Sequence, residues 1–287
     1  MIDITKTAYP RFETSYTDLE LERVFQPTIE ELNFIKSTWK KASLRYSALL
    51  LLKTIQKLGR FTSLKHVPTE VRKFLANTIQ SRTYKVKELV TLEKSRSHER
   101  IQAIIREYLG IQLAQGERFD SVLSEAFSTA AKTKENVIDI INAGIEELVR
   151  HYFMLPSFDT LLKKANAALK SSHEVYFSQV SEQLSPDSKK ELDEILLLPE
   201  GGKEKTGWNA IRSEPKKINK KNMGLHIENV KWLRAWLAHF PSIESIPASK
   251  IEHFYAEAYS YSVSDLKRMK ASKRYALMVI FITQRYC

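Results

Sequence analysis

Between its 8 Gly and 9 Pro residues the chain repeats hydrophobic positions every three or four residues in nearly every segment, rather than alternating them as a half-buried strand would. The period predicts an all-α fold of two or three helical bundles. Thr17 with Glu20, and Thr28 with Glu31, have capping-box spacing, in which the hydroxyl satisfies an orphan amide and the carboxylate reaches back, so two helices are expected to start there. Leu44, Ala48, Leu51, Ile55 and Leu58 fall on one face of a helix that Gly59 ends. Pro68 suits the start of the next, whose stripe is Val71, Phe74, Leu75 and Ile79, and after Tyr84 one further helix leads through Ile101, Ile104, Ile105 and Tyr108 to Gly110.

Long helices are expected from Phe119 to about Leu198: Asn136–Met154, a break at Pro156, then Phe158–Leu184, with Ser185-Pro186 as the next N-cap and first-turn pair. Residues 199–222 mix Pro, Gly and Lys and read as a linker or long loop. Helices resume over about 225–238, 249–260 and 273–286, with Ser249 and Glu252 again at capping-box spacing. The last has no stop signal, as expected of a piece of a longer protein.

Charge divides the chain further. Residues 1–110 hold 20 basic and 12 acidic side chains, 111–200 hold 9 and 15, and 201–287 hold 16 and 7. Two basic blocks flanking an acidic one suit a polyanion reader that attaches at two places. The expected organisation is a basic helical domain at 1–112, an acidic helical domain at 113–198, the loop or linker at 199–222, and a second basic helical domain at 223–287, open at its C-terminal end. A single cysteine, Cys287, excludes an internal disulfide and a cysteine-rich zinc site and fits a reducing cytoplasm. The apolar runs Ala48–Leu52 and Tyr275–Ile282 fall far short of the roughly 20 residues a membrane span needs.

From Lys36 to Lys87 there are 13 basic residues and one acidic residue, Glu70, interleaved with Tyr46, Phe61, Phe74 and Tyr84. An ordinary solvated face carries acids for balance. If the stripes of 43–58 and 68–80 pack as a helix-turn-helix-like pair, Lys40, Lys41, Lys53, Lys57, Arg60, Arg72, Lys73, Arg82, Lys85 and Lys87 are left outward, toward phosphates. Lys94, Arg96, Arg100 and Arg106, with His98 on the same surface, make a second group, although Glu93, Glu99 and Glu107 can pair with it locally. Lys216, Lys217, Lys220 and Lys221 in the loop, with Lys267, Arg268, Lys270, Lys273 and Arg274 near the end, make a third.

Catalytic and cofactor signatures are not found. His98-Glu99 opens like a zinc-protease helix, but Gln102 stands where the second histidine belongs; Gly201-Gly202-Lys203 is followed by Glu204 in place of a magnesium-binding hydroxyl. The seven histidines have no pair at ligand spacing, and the carboxylates of the acidic block read as a salt-bridged helix face. No catalytic residue, metal or cofactor is expected.

Read in order, Tyr9-Pro-Arg-Phe12, Leu58-Gly-Arg-Phe61 followed by Val67-Pro-Thr-Glu-Val71, Ile105-Arg-Glu-Tyr-Leu-Gly110, Leu155-Pro-Ser-Phe-Asp-Thr-Leu161, and the stretch from Ile246-Pro247 to Lys273-Arg-Tyr-Ala-Leu277 resemble the N-terminal region of Tn-three-family replicative transposases. The resemblance implies a double-stranded-DNA-binding protein that recognises the terminal inverted repeats of a transposon through several helical modules. It also implies a bacterial cytoplasmic location at the nucleoid, self-association with the full-length transposase, and a catalytic domain with an Asp-Asp-Glu metal site further downstream. Where the family carries an Asn-Arg-Leu-Gly run this chain has Leu44-Arg-Tyr-Ser47, so only Arg45 carries over as a DNA contact; His98 lies about three residues from the family's histidine and takes no family role. Two other readings of the residues stay open: a helical protein-interaction scaffold, and a stand-alone nucleic-acid-binding regulator.

Overall fold

A computed structural model describes residues 3–197, 206–213 and 220–286. Every regular element among them is helical, and the one extended contact is an isolated parallel bridge between Gln112 and Phe153. In chain order the α-helices are α1 (Asp18–Phe25), α2 (Ile29–Thr38), α3 (Ala42–Leu58), α4 (Thr69–Thr78), α5 (Val86–Glu93), α6 (Arg96–Leu109), α7 (Glu117–Thr133), α8 (Val137–Arg150), α9 (Phe158–Gln183), α10 (Pro186–Glu194), α11 (Gly207–Arg212), α12 (Lys220–Leu237), α13 (Ala248–Ser260), α14 (Val263–Arg268) and α15 (Ala271–Tyr286). They form two compact units, Met1–Phe127 with Ile138–Lys164, and Ser128–Val137 with Ala165–Cys287.

The first unit is organised by α3. Its pattern predicts a single apolar stripe, but the chain is buried without interruption from Tyr46 to Ile55, with α2, α4 and α6 packed around it. A helix apolar on all sides belongs inside a core. Lys53 is carried inward with it, 6% exposed, and so does not point outward as the pattern suggested. Its Nζ lies 3.0 Å from Oε2 of Glu31, the carboxylate that also closes the predicted capping box at the start of α2. Glu31 Oε2 accepts from the Thr28 amide at 2.8 Å, and Oε1 accepts from Gln56 Nε2 at 2.6 Å. One acidic side chain thereby starts a helix and neutralises the buried cation of another.

Two glycines set local geometry. Gly59 ends α3 at φ +64°, a left-handed conformation that glycine adopts without strain. Its carbonyl accepts from the Leu155 amide at 2.8 Å, and a Cβ there would come within 3.0 Å of the Leu155 side chain. Arg60 lies over the Tyr9 ring, 5.4 Å from its centroid, while the Tyr9 hydroxyl donates to the Pro156 carbonyl at 2.7 Å and its ring meets Phe158 edge-on. Three of the stretches on which the resemblance rests thus meet at one junction. At Gly144 on α8, a Cβ would fall 2.2 Å from the Phe127 ring of α7.

The second unit repeats the scheme around α15. Tyr275 to Ile282 is buried throughout and is packed by α10, α12 and α13. Both apolar runs are therefore core helices, and no helix among the described residues is long and apolar enough to cross a membrane.

The predicted starts at Thr17, Thr28 and Ser185-Pro186 and the stops at Gly59 and Gly110 are all present. Elsewhere the elements differ. The single helix expected after Tyr84 is two, broken at Lys94–Ser95. Within the expected loop at 199–222, α11 forms and seats Trp208, fully buried, in the core of the second unit. Ser249 and Glu252 make no capping box: α13 starts after Pro247, and the Ser249 hydroxyl donates to the Thr133 carbonyl at 2.7 Å.

Burial pushes the Glu31 carboxyl pKa up, but hydrogen bonds from Gln56, the Thr28 amide and Lys53 outweigh it and hold the group below its ordinary 4.5. A lowered folded-state value means that its stabilisation is present above the unfolded value and is lost as pH falls through the folded one. Glu31→Gln, which leaves Lys53 buried without a counter-charge, is expected to lose about 3–5 kcal/mol near neutrality, and the gap from the parent to narrow in acid. Urea unfolding across that pH range checks both expectations.

Candidate nucleic-acid interface

Tyr46, in the first turns of α3, ties together three of the segments that carry basic residues of 36–87. Its hydroxyl donates to the Arg72 carbonyl at 3.0 Å and its ring stacks on Tyr84 at 5.2 Å. Burial pushes this hydroxyl pKa up to about 12, so it serves as a neutral donor. The contacts draw three chain segments to one end of the first unit: Lys40 and Lys41 just before α3, Arg72 and Lys73 on α4, and Arg82 to Lys87 entering α5.

Lys40, Lys41, Lys73, Lys85 and Lys87 are exposed there, and none has an ion-pair partner among the described residues. Arg82 is also exposed, but it pairs with Glu88 at 2.7 Å and lies over the Tyr84 ring at 4.3 Å. Helix α3 begins after Lys41 with no side-chain cap. A lysine at that position sets a cation against the positive end of the helix dipole, an arrangement that an incoming anion relieves.

Several residues expected to face outward are built into the fold. Lys53 is the buried partner of Glu31. Arg72 is only 9% exposed, with Nη2 donating to the Thr69 hydroxyl at 2.9 Å and Nε without a hydrogen-bond partner among the described residues. Apolar periodicity does not reveal the fate of Lys53, because α3 is buried on every side, and Arg72 lies at the border of the one buried face of α4. Arg45 is half-buried, its Nε donating to the Trp39 carbonyl at 2.6 Å. Arg60, half-buried over Tyr9, and half-buried Lys57 complete the group.

In the second group Lys94, Arg96 and Arg100 are exposed and make no ion pair among the described residues. Glu93, expected to pair with them, instead accepts from the Ser63 hydroxyl at 2.9 Å and from the Leu64 amide. His98 is buried, not on the surface. Burial pushes its pKa down, its Nε2 meets Gln102 at 3.0 Å and its Nδ1 has no partner, so it offers phosphate no charge.

The third group separates similarly. Lys273 pairs with Glu257 at 2.7 Å and Arg274 with Asp193 at 3.0 Å, so both tie α15 to its neighbours. Arg268 is exposed. Lys216 and Lys217 lie outside the described residues, as do the side chains of Lys220 and Lys221. The second unit also assembles Glu135, His173 and His253, which lie too far apart in sequence for any ligand-spacing search to connect.

The family described as "Domain of unknown function (DUF4158)" matches residues 1–168. The chain is 26% identical over 159 residues to the transposase for transposon Tn21 of Escherichia coli, covering 54% of this chain and 16% of that protein. It is likewise 26% identical over 152 residues to the transposase for transposon Tn3926 of Escherichia coli, covering 52% of this chain and 15% of that protein. The similarity is to the N-terminal part of these proteins, not to their catalytic region.

Burial separates Arg72 from its neighbour Lys73. Arg72→Ala is expected to destabilise the chain by about 1–3 kcal/mol, since it opens space in the core and removes the bond to Thr69, while Lys73→Ala stays within about 0.5 kcal/mol of the parent. Thermal or urea unfolding of the two variants distinguishes these roles.

Proposed function

The chain belongs to the DUF4158 family, and on that premise we propose that it binds double-stranded DNA, recognising the terminal inverted repeats of a transposon as the N-terminal part of a replicative transposase. The observation that carries this reading is the set of lysines around Tyr46 that are exposed and have no ion-pair partner among the described residues. The distant likeness to two transposases supplies the kind of polyanion. In this reading 1–112 is a helix-turn-helix-like module, 223–287 with the lysine-rich loop a second, and the acidic 113–198 sets their separation on one repeat. Strand cutting and joining fall to a catalytic domain outside this chain, which acts in the bacterial cytoplasm at the nucleoid and self-associates through the full-length protein.

Lys40, Lys41, Lys73, Lys85 and Lys87, with Lys94, Arg96 and Arg100, take the phosphate-contacting role. Arg82 and Arg268 join them from exposed positions, and Lys216, Lys217, Lys220 and Lys221 are assigned to the same role. Lys53 and Arg72 act indirectly, by fixing the helices that carry the others, and so do Lys273 and Arg274 in the second unit. Each phosphate neutralised releases condensed counterions, so affinity depends steeply on salt. Sequence preference comes from a few base contacts, each worth about 1–3 kcal/mol.

Replacing Lys40, Lys41 and Lys73 together with alanine is expected to weaken binding and to reduce the slope of log affinity against log salt by about 3, roughly one per lost phosphate contact, without loss of folding. Fluorescence anisotropy compares the terminal repeat of the element that encodes the protein with an unrelated duplex. Equal affinity and slope for parent and variant would overturn the basic-end assignment. Equal affinity for the two duplexes would overturn repeat recognition and favour a general nucleic-acid-binding regulator, and no binding even at low salt would favour a protein-interaction scaffold.

A further inference from the structure

Glu135 lies in the connection between α7 and α8, His173 on α9 and His253 on α13, all within the second unit. Glu135 Oε2 is 3.1 Å from His173 Nε2 and 3.6 Å from His253 Nε2, and the three potential ligand atoms lie within 4.8 Å of one another. Zinc bonds of about 2.0–2.2 Å at tetrahedral angles place neighbouring ligand atoms roughly 3.3–3.5 Å apart. The two carboxylate–imidazole separations straddle that value, and the two imidazole nitrogens lie no more than 4.8 Å apart.

The surroundings hold the donors in place. Lys250, fully buried, reaches the other carboxylate oxygen, Glu135 Oε1, at 2.5 Å and donates to the Lys134 carbonyl at 2.9 Å. Its bond fixes the carboxylate, as partners of a ligating carboxylate do in metal sites; His173 Nε2 lies 3.2 Å from Oε1 and 3.1 Å from Oε2, and His253 Nε2 faces Oε2. The His173 ring packs edge-on against Phe254 at 4.9 Å, and His253 meets the same ring at 5.7 Å. Both imidazoles are thereby aimed by one buried aromatic.

We propose that Glu135, His173 and His253 form a binding site for one zinc-class divalent transition-metal ion, with the remaining coordination position open beside His253. Two imidazoles and one carboxylate are a donor set suited to zinc and its neighbours rather than to magnesium or calcium, which prefer all-oxygen sites. The ion ties α13 to α9 and to the end of α7, so its effect is on the stability of the second unit. This assignment stands independently of DNA binding.

The test uses the full chain, stripped with a chelator and dialysed, against its His253→Ala variant. His253 is the exposed ligand, so its loss leaves the Glu135–Lys250 pair and the core intact. Calorimetric titration with zinc chloride is expected to give one ion per chain, with a raised Tm. Cobalt(II) substitution is expected to give the intense visible absorption of a tetrahedral nitrogen–oxygen site. In the variant, affinity is expected to fall at least about 100-fold and the cobalt spectrum to be lost. His239→Ala, at an exposed histidine elsewhere in the unit, is expected to leave both unchanged. If parent and His253→Ala take up zinc alike, or neither takes it up, the cluster is only a hydrogen-bonded ion group and the proposal fails.

Discussion

A helix enclosed on every side has no solvent face on which to leave a charge, and this constraint governs both units. In the first, α3 carries Lys53 into the core, and the Glu31 carboxylate must meet it there. In the second, Lys273 and Arg274 lie at the start of the buried run of α15, where Glu257 and Asp193 receive them. Glu257 has a carboxyl pKa below its ordinary value: burial opposes ionisation, and the bonds from Lys273 and Tyr261 more than offset it. Both partners of the Lys53–Glu31 pair are buried, and an unpaired cation at that depth costs several kcal/mol, whereas the pairs at the start of α15 are partly exposed. Other cations stay at the surface, among them those where α3 and α5 begin.

The legible parts of the fold were those with local causes. Hydroxyl–carboxylate spacing located α1 and α2, glycine located the ends of α3 and α6, and Ser185-Pro186 located α10, because each depends on atoms within four residues. Facing was less accessible. A three-to-four-residue period identifies a helix and one apolar stripe, but α3 presents buried residues all round, so Lys53 reads as a surface cation although the core holds it, and Arg72 reads likewise because it borders the apolar stripe of α4. Pairing over long separations left no trace in spacing. Glu135 meets residues 38 and 118 positions away, and Trp208 forms a core inside a stretch whose composition resembles a loop. Ser249 illustrates the reverse error, since its hydroxyl satisfies a distant carbonyl instead of the amide three residues on.

The stretches that carry the family likeness are explained mostly by architecture. Tyr9, Gly59, Arg60, Leu155, Pro156 and Phe158 form one junction, in which a left-handed glycine lets two backbones approach and an aromatic ring receives a guanidinium. Tyr108, in another of these stretches, stacks on Phe34 at 3.9 Å. Such residues hold the scaffold of the first unit. The exposed lysines around Tyr46, all of them outside these stretches, are free to differ without disturbing it.

The closeness of Gly144 to Phe127 couples two positions that are otherwise unrelated in sequence. With a Cβ only 2.2 Å from the ring, no larger residue fits on α8 unless the aromatic on α7 shrinks or turns away. Among descendants of this chain the pair must therefore be inherited together or exchanged together, a covariation imposed by contact geometry and independent of whatever ligand the protein has come to serve.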